Sequence, residues 1–231
     1  MNNRLYINLT NKCNRKCPFC FMWSGPRNNI FIEELVFKSI INTAQSAEIR
    51  LGGGEPTLHP KFLDFVEFCL QSAEVTKVII DTNGVILDNY IQSLFNLSQK
   101  YYKPIVVSIS INYSLIEQNN HHLDNIKKWI EVYSNRPNWE IRLGVHIRLP
   151  EALESEWLSL LAEPPFNTID APIHTIQYTA RAKQNKISGA IAYKKPNYTN
   201  FNSTYYACDG TCFGSDVKAR EKYEEQLSID L

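Results

Sequence analysis

Short apolar runs that alternate with longer stretches of helical spacing constrain this chain more than any other feature of its sequence. Residues 6–9, 48–52, 77–81, 105–111 and 140–147 read as strands. Between them Val36, Ile40, Ala44 and Ala47 mark one helix face, and Phe62, Phe65, Val66, Cys69 and Ala73 a second. Ile91, Leu94, Phe95 and Ser98 mark a third, and Leu123, Ile126, Ile130 and Tyr133 a fourth. A fifth, with Leu153, Trp157, Leu160 and Leu161, stops at Pro164-Pro165, and residues 174–179 supply a sixth strand. Strand-helix alternation builds a parallel sheet, and six strands are too few to close an eight-stranded barrel. The expected fold is therefore α/β, a partial (β/α)6 barrel over residues 1–180, with its functional side chains at the C-terminal strand ends. Residues 181–231 form a short C-terminal extension. Its 188–206 stretch, rich in Asn, Lys, Tyr and Thr, reads as loop with at most short strands, and 215–231 as a surface helix capped by Ser215.

The 231 residues, 44% of them hydrophobic, suffice for one sizeable core. Lys plus Arg and Asp plus Glu both number 24, so no net field gathers a nucleic acid. No apolar window reaches the ~18 residues of a membrane span, and no signal peptide precedes the first strand. A cytoplasmic location is expected, with no membrane partner and with six cysteines that are reduced or ligating.

Three of those cysteines, Cys13, Cys17 and Cys20, crowd one loop directly after the first strand. A structural zinc site takes four ligands, commonly as two pairs from separate loops, and no second pair lies nearby in the sequence. A cubane iron-sulfur cluster is ordinarily held by four thiolates, so a loop offering three leaves one iron open to a small molecule. The spacing, the aromatic Phe19 before the third cysteine, and the place after strand one resemble the radical S-adenosylmethionine (SAM) superfamily. That resemblance implies a 4Fe-4S cluster on Cys13, Cys17 and Cys20, SAM chelated to the open iron, and Phe19 near its adenine.

A second motif lies at the end of the second strand. Gly53, Gly54, Glu55 and Pro56 match the family's GGEP motif, which holds the methionine amino group of SAM. The glycines allow a backbone to approach a ligand, and Glu55 can accept a hydrogen bond from an ammonium group. Asn83 closes the third strand in an Asn-Gly pair that reads as a SAM contact or as a plain turn. On the fourth, alternation places Ser108, Ser110 and Asn112 on one face, where hydroxyl and amide groups of related enzymes contact SAM. Arg142, His146 and Arg148 alternate likewise on the fifth and read as carboxylate binders or as solvated residues. Phe21, Met22 and Trp23 read as a shield for the cluster or as core.

Cys69 falls on an apolar helix face and reads as core. Cys208 and Cys212 bind part of an auxiliary cluster, form a regulatory disulfide, or do neither. Upstream of them, Gln177 to Ala182 resembles the lead-in to the SPASM extension of peptide-modifying radical SAM enzymes, of which two cysteines would be a remnant.

The implied function is reductive cleavage of SAM to a 5'-deoxyadenosyl radical that abstracts hydrogen from a ribosomally made peptide. The electron would come from a donor such as flavodoxin or ferredoxin. A glycyl-radical enzyme activase is the alternative enzyme, and a non-catalytic iron-sulfur or zinc module the alternative from another class. Against a peptide maturase, the first strand starts too early to leave room for an N-terminal leader-binding domain.

Overall fold

The computed structural model describes residues 3–114, 121–133, 141–150, 153–169, 173–175, 182, 184–188, 190, 203–215, 218–219 and 221–222. Six parallel strands are joined by helices in chain order. They are β1 (Asn3–Thr10), α1 (Glu34–Asn42), β2 (Ala47–Gly53), α2 (Phe62–Gln71), β3 (Val75–Thr82) and α3 (Ile91–Tyr101). β4 (Ile105–Asn112), α4 (His121–Tyr133), β5 (Ile141–Leu149), α5 (Glu154–Leu161) and β6 (Ile173–Thr175) follow. Two further strands, β7 (Ser203–Tyr206) and β8 (Cys212–Phe213), form a hairpin. The sheet order is β6-β5-β4-β3-β2-β1-β7-β8, parallel throughout except between β7 and β8. This is the α/β partial barrel read from the alternation. The sixth strand begins one residue early, and its expected continuation over 176–179 lies outside the described residues.

Strand periodicity sorts side chains onto two faces. Ile7, Leu9, Ile49, Leu51, Val78, Ile80, Val107, Ile109 and Val145 point to the helices and are buried. There they meet Phe37 and Ile41 of α1, Phe65 and Cys69 of α2, and Ile126 and Ile130 of α4. The Phe37 and Phe65 rings stack at 4.1 Å and 7°. Phe65, 1% exposed, also packs 4.6 Å from the His59 ring. Truncating a buried aromatic costs about 3–5 kcal/mol, so Phe65→Ala is expected to lose that much in urea unfolding; a loss under about 1 kcal/mol would mean the site collapses freely.

The opposite face is polar. Arg4 and Lys77 both contact Glu48, at 2.7 and 2.6 Å. Burial works to raise the Glu48 carboxyl, yet its bonds to Lys77 and Arg4 bring it below the ordinary value.

The extension holds one of the short strands allowed for its loop-like stretch. β7 lies parallel on the free edge of β1, with Tyr6 opposite Tyr205, so the hairpin continues the barrel's own sheet. Beyond it, Ser215 Oγ accepts from the Lys218 N–H at 3.3 Å, the expected cap, and Ala219 is fully buried with Tyr205. Val217, Tyr223 and Leu227, expected as the apolar contacts of this tail, lie outside the described residues.

Candidate active site

All three clustered thiols open onto one cavity of about 250 Å³ at the C-terminal strand ends. Backbone bonds fold their loop back on itself. Thr10 Oγ1 donates to the Ile30 carbonyl at 2.7 Å and accepts from the Lys12 N–H at 3.0 Å. Cys13 N donates to the Gly25 carbonyl at 3.1 Å, and Cys20 N to the Cys17 carbonyl at 3.2 Å. Cys13 is buried, while Cys17 and Cys20 are half-buried.

Nitrogen donors face the sulfurs. Cys13 Sγ lies 3.4 Å from the Arg15 N–H and 3.7 Å from Asn83 Nδ2, and Cys17 Sγ lies 3.9 Å from Asn112 Nδ2. Burial pushes the Cys13 thiol up to about 12, against the Arg15 N–H that lowers it. A thiol so placed yields its proton to a metal more readily than to water. Among the described residues no three His, Cys, Asp or Glu side chains close around a single ion; these thiols border a cavity instead.

Gly53 and Gly54, at the end of β2, serve chiefly the protein's own packing. Gly54 N donates to the Thr10 carbonyl at 2.7 Å and Glu55 N to the Lys12 carbonyl at 2.9 Å, stitching this turn to the cysteine loop. A Cβ at Gly54 would meet the Lys12 oxygen at 2.1 Å; one at Gly53, whose φ is +127°, would meet the Thr10 oxygen at 2.3 Å. Both also line the cavity. Gly52 differs: a Cβ there would meet nothing closer than 3.7 Å, and would stand in the cavity between Asn8 Oδ1 and the Asp81 carboxylate.

The Glu55 side chain turns into the protein. It is fully buried, and its carboxylate accepts from Thr57 N (3.3 Å), Thr57 Oγ1 (2.5 Å), Thr82 Oγ1 (2.7 Å) and Asn83 N (2.8 Å). Burial pushes its carboxyl above the ordinary value despite these donors. The group thus clasps the ends of β2 and β3 and does not line the cavity. Pro56 is buried too, opening a short turn over Pro56–Leu58.

Phe19, Asn83, Ser110 and Asn112 line the cavity. The Phe19 ring lies 6.0 Å from Tyr113, and Asn83 Nδ2 bonds Asn14 Oδ1 at 2.8 Å. Ser108, opposite Asp81 of β3, is not among the side chains that line the cavity. Phe21 and Met22 are at the wall, whereas Trp23 is not. Arg142 is exposed, and the side chains of His146 and Arg148 are outside those described. Cys69 is fully buried in the core. Cys208 is buried and unbonded to the exposed Cys212, with its thiol pushed up to about 11 by burial and by Asp209. Neither lines the cavity.

The motif reading missed the cavity floor. Arg50 pairs with both Asp81 oxygens, at 2.5 and 2.6 Å, and lies 5.1 Å over the Tyr6 ring. Burial disfavours the guanidinium's charge, but Asp81 more than restores it. Tyr6 stacks on Tyr205 at 6.3 Å, and Asn8 Nδ2 donates to the Tyr205 hydroxyl. The period-two argument applied to β4 would have found Tyr6, Asn8, Arg50 and Asp81 on the same inward face.

The model of the Radical SAM superfamily matches residues 7–136, more than half of the chain. The chain belongs to the radical SAM superfamily. A GTP 3',8-cyclase of Synechocystis sp. is 29% identical over 100 residues, which is 39% of this chain and 29% of that protein. The molybdenum cofactor biosynthesis protein moc-5 of Caenorhabditis elegans is 30% identical over 96 residues, 39% of this chain and 16% of that one. The chain thus spans less than a third of these curated relatives. Streptococcus suis SuiB, solved with its precursor peptide SuiA, shares the fold with a TM-score of 0.52 at 12% identity, over 93% of this chain and 59% of that one. Radical SAM enzymes use a 4Fe-4S cluster and SAM, and the donor set here fits both: three thiols around one cavity, amide donors to their sulfurs, and a notch at Gly52 flanked by acceptor oxygens. Among the described residues no helix is long and apolar enough to cross a membrane.

Proposed function

We propose that this radical SAM enzyme cleaves SAM reductively and turns the product on a ribosomally made peptide. The convergence of Cys13, Cys17 and Cys20 on one cavity with the Gly52–Gly54 wall carries the first part. When bound, the cluster supplies the electron that splits SAM into methionine and a 5'-deoxyadenosyl radical, which takes hydrogen from the substrate. The chain's own residues do the holding and orienting. Cys13, Cys17 and Cys20 would hold the cluster, and Arg15 N, Asn83 and Asn112 direct N–H groups at the sulfurs, where they would stabilise thiolate charge.

The ammonium of SAM is assigned to Asp81 and Asn8 Oδ1 above Gly52, since both line the cavity and Glu55 is fully buried away from it. Arg50 fixes the Asp81 carboxylate, and the Tyr205 hydroxyl fixes the Asn8 amide with its oxygen toward the notch. Ser110 is placed for the ribose or carboxylate of SAM and Phe19 for its adenine. A lost hydrogen bond to a charged group costs about 1.5–3 kcal/mol, or roughly 10- to 100-fold. Asp81→Asn is therefore expected to weaken SAM binding by that factor in calorimetry while cluster content holds; unchanged affinity would return the role to another group.

The peptide rests on the fold shared with SuiB and on the SPASM-like segment 177–182. Co-expression with a short precursor encoded beside this gene, followed by mass spectrometry, tests it. A mass change in the peptide that vanishes with Cys17→Ala supports the reading. Stimulation of 5'-deoxyadenosine formation by GTP, with no change in the peptide, would point to the chemistry of the sequence relatives.

A further inference from the structure

The inward face of α4 runs His122, Ile126, Trp129, Ile130 and Tyr133, so a histidine stands at the head of an otherwise apolar row. That histidine is 1% exposed, and one of its ring N–H groups bonds the carbonyl of Asn83, in the turn after β3. Among the described residues His122 Nε2 has no hydrogen-bond partner, so the nitrogen on Asn83 is Nδ1 and the ring is the Nδ1–H tautomer. Burial, and after it the Arg15 charge, keep the imidazole below its ordinary pKa, which favours this neutral form. The ring also closes the space over Gly84. A Cβ there, at φ +75°, would meet His122 Cε1 at 3.3 Å, Ile109 Cγ2 at 3.1 Å and Trp129 Cζ3 at 3.5 Å.

A buried imidazole nitrogen without a partner is destabilising, and an apolar ring would fill the same space without that cost. What the histidine adds is its bond to Asn83. The Asn83 peptide is thereby held from two sides by buried side chains, its N–H on Glu55 Oε2 at 2.8 Å and its carbonyl on His122. The Asn83 side chain is fixed in turn. Its Oδ1 accepts the Val85 N–H at 3.0 Å, which leaves Nδ2 to face Asn14 Oδ1 at 2.8 Å and Cys13 Sγ at 3.7 Å.

We propose that His122 is a positioning residue for the cluster: by holding the Asn83 carbonyl it aims the Asn83 amide at the Cys13 sulfur. The proposal rests on the reading that Cys13 is a cluster ligand. N–H groups directed at cluster sulfurs favour the reduced state, in which the sulfurs carry more negative charge. His122, which does not itself line the cavity, thus acts through Asn83 on how readily the cluster accepts its electron.

The test is a redox titration of the reconstituted protein without SAM, followed by electron paramagnetic resonance. His122→Phe keeps a ring and loses the N–H. It is expected to shift the reduction equilibrium about tenfold toward the oxidised cluster, a midpoint about 59 mV lower for one electron. His122→Asn, whose amide nitrogen can stand where Nδ1 stands, is expected to return the equilibrium to within about twofold of wild type. Asn83→Ala should reproduce the shift of His122→Phe, and the double variant should shift no further than either alone, because both remove the same N–H from the sulfur. Should His122→Phe fail to fold, His122→Gln, which reaches the Nε2 position and not Nδ1, takes its place with the same expected shift. Three results would overturn the proposal: an unchanged midpoint without the Nδ1 donor, an equal shift in His122→Asn, or additive shifts in the double variant. A wild-type chain that takes up no cluster would overturn the cofactor reading and this proposal with it.

Discussion

Replacing Cys17 with Ala is expected to leave the reconstituted protein without a stable cluster: iron and sulfide fall from about four per chain toward background, and SAM cleavage drops at least about 10³-fold. Cys17 is half-buried on the cavity wall with the Asn112 amide 3.9 Å from its sulfur, so its removal leaves two thiols for a centre that needs three. Cys69→Ala is the matched control. That thiol is fully buried on the core face of α2, and burial pushes it well above the ordinary thiol value. Its loss should cost about 0.5–3 kcal/mol of stability and leave iron content and SAM cleavage intact. Equal iron loss in both variants would detach the cluster from the Cys13 loop.

Gly54→Ala carries the second large effect. An added Cβ would sit 2.1 Å from the Lys12 carbonyl oxygen and 2.6 Å from its carbon, both backbone atoms that no rotamer change can move aside. The Gly54 N–H to Thr10 and Glu55 N–H to Lys12 bonds must break to make room, and with them the seam between the cysteine loop and the end of β2. Overpacking of this kind costs about 1–3 kcal/mol and occasionally more; together with the lost bonds, a fall of about 3 kcal/mol in urea unfolding and loss of SAM binding are expected. Gly52→Ala is the contrast. Its Cβ touches protein at no less than 3.7 Å, so stability should change by less than about 1 kcal/mol while SAM affinity falls because the notch is filled. Should Gly52→Ala and Gly54→Ala behave alike, the division between packing and ligand glycines fails.

The strands and helices of the barrel were legible because each strand needs one apolar face toward the helices, and alternation writes that face into the sequence. Ile7, Leu9, Ile49 and Leu51 show it in β1 and β2. The pairing of β7 escaped, since Ser203–Tyr206 is short and polar and nothing local says that it will lie beside β1 at the opposite end of the sequence. The three thiols and Phe19 were legible because one loop brings them together. The surroundings of Glu55 were not legible: a motif names a residue, but which way its side chain turns depends on Thr57, Thr82 and Asn83, of which two arrive from β3 and its turn. The same holds for the floor. Tyr205 meets Asn8 across 197 residues of sequence, and the Arg50–Asp81 pair spans neighbouring strands, so each makes sense only once the sheet is ordered.

The central claim is that this chain holds a cluster and cleaves SAM with it. Anaerobic reconstitution with iron and sulfide, followed by dithionite and SAM without substrate, tests that claim through chromatography of the products. Formation of 5'-deoxyadenosine that is lost in Cys17→Ala is the predicted result. A cluster that forms but neither binds nor cleaves SAM would contradict it and leave a metal-binding module.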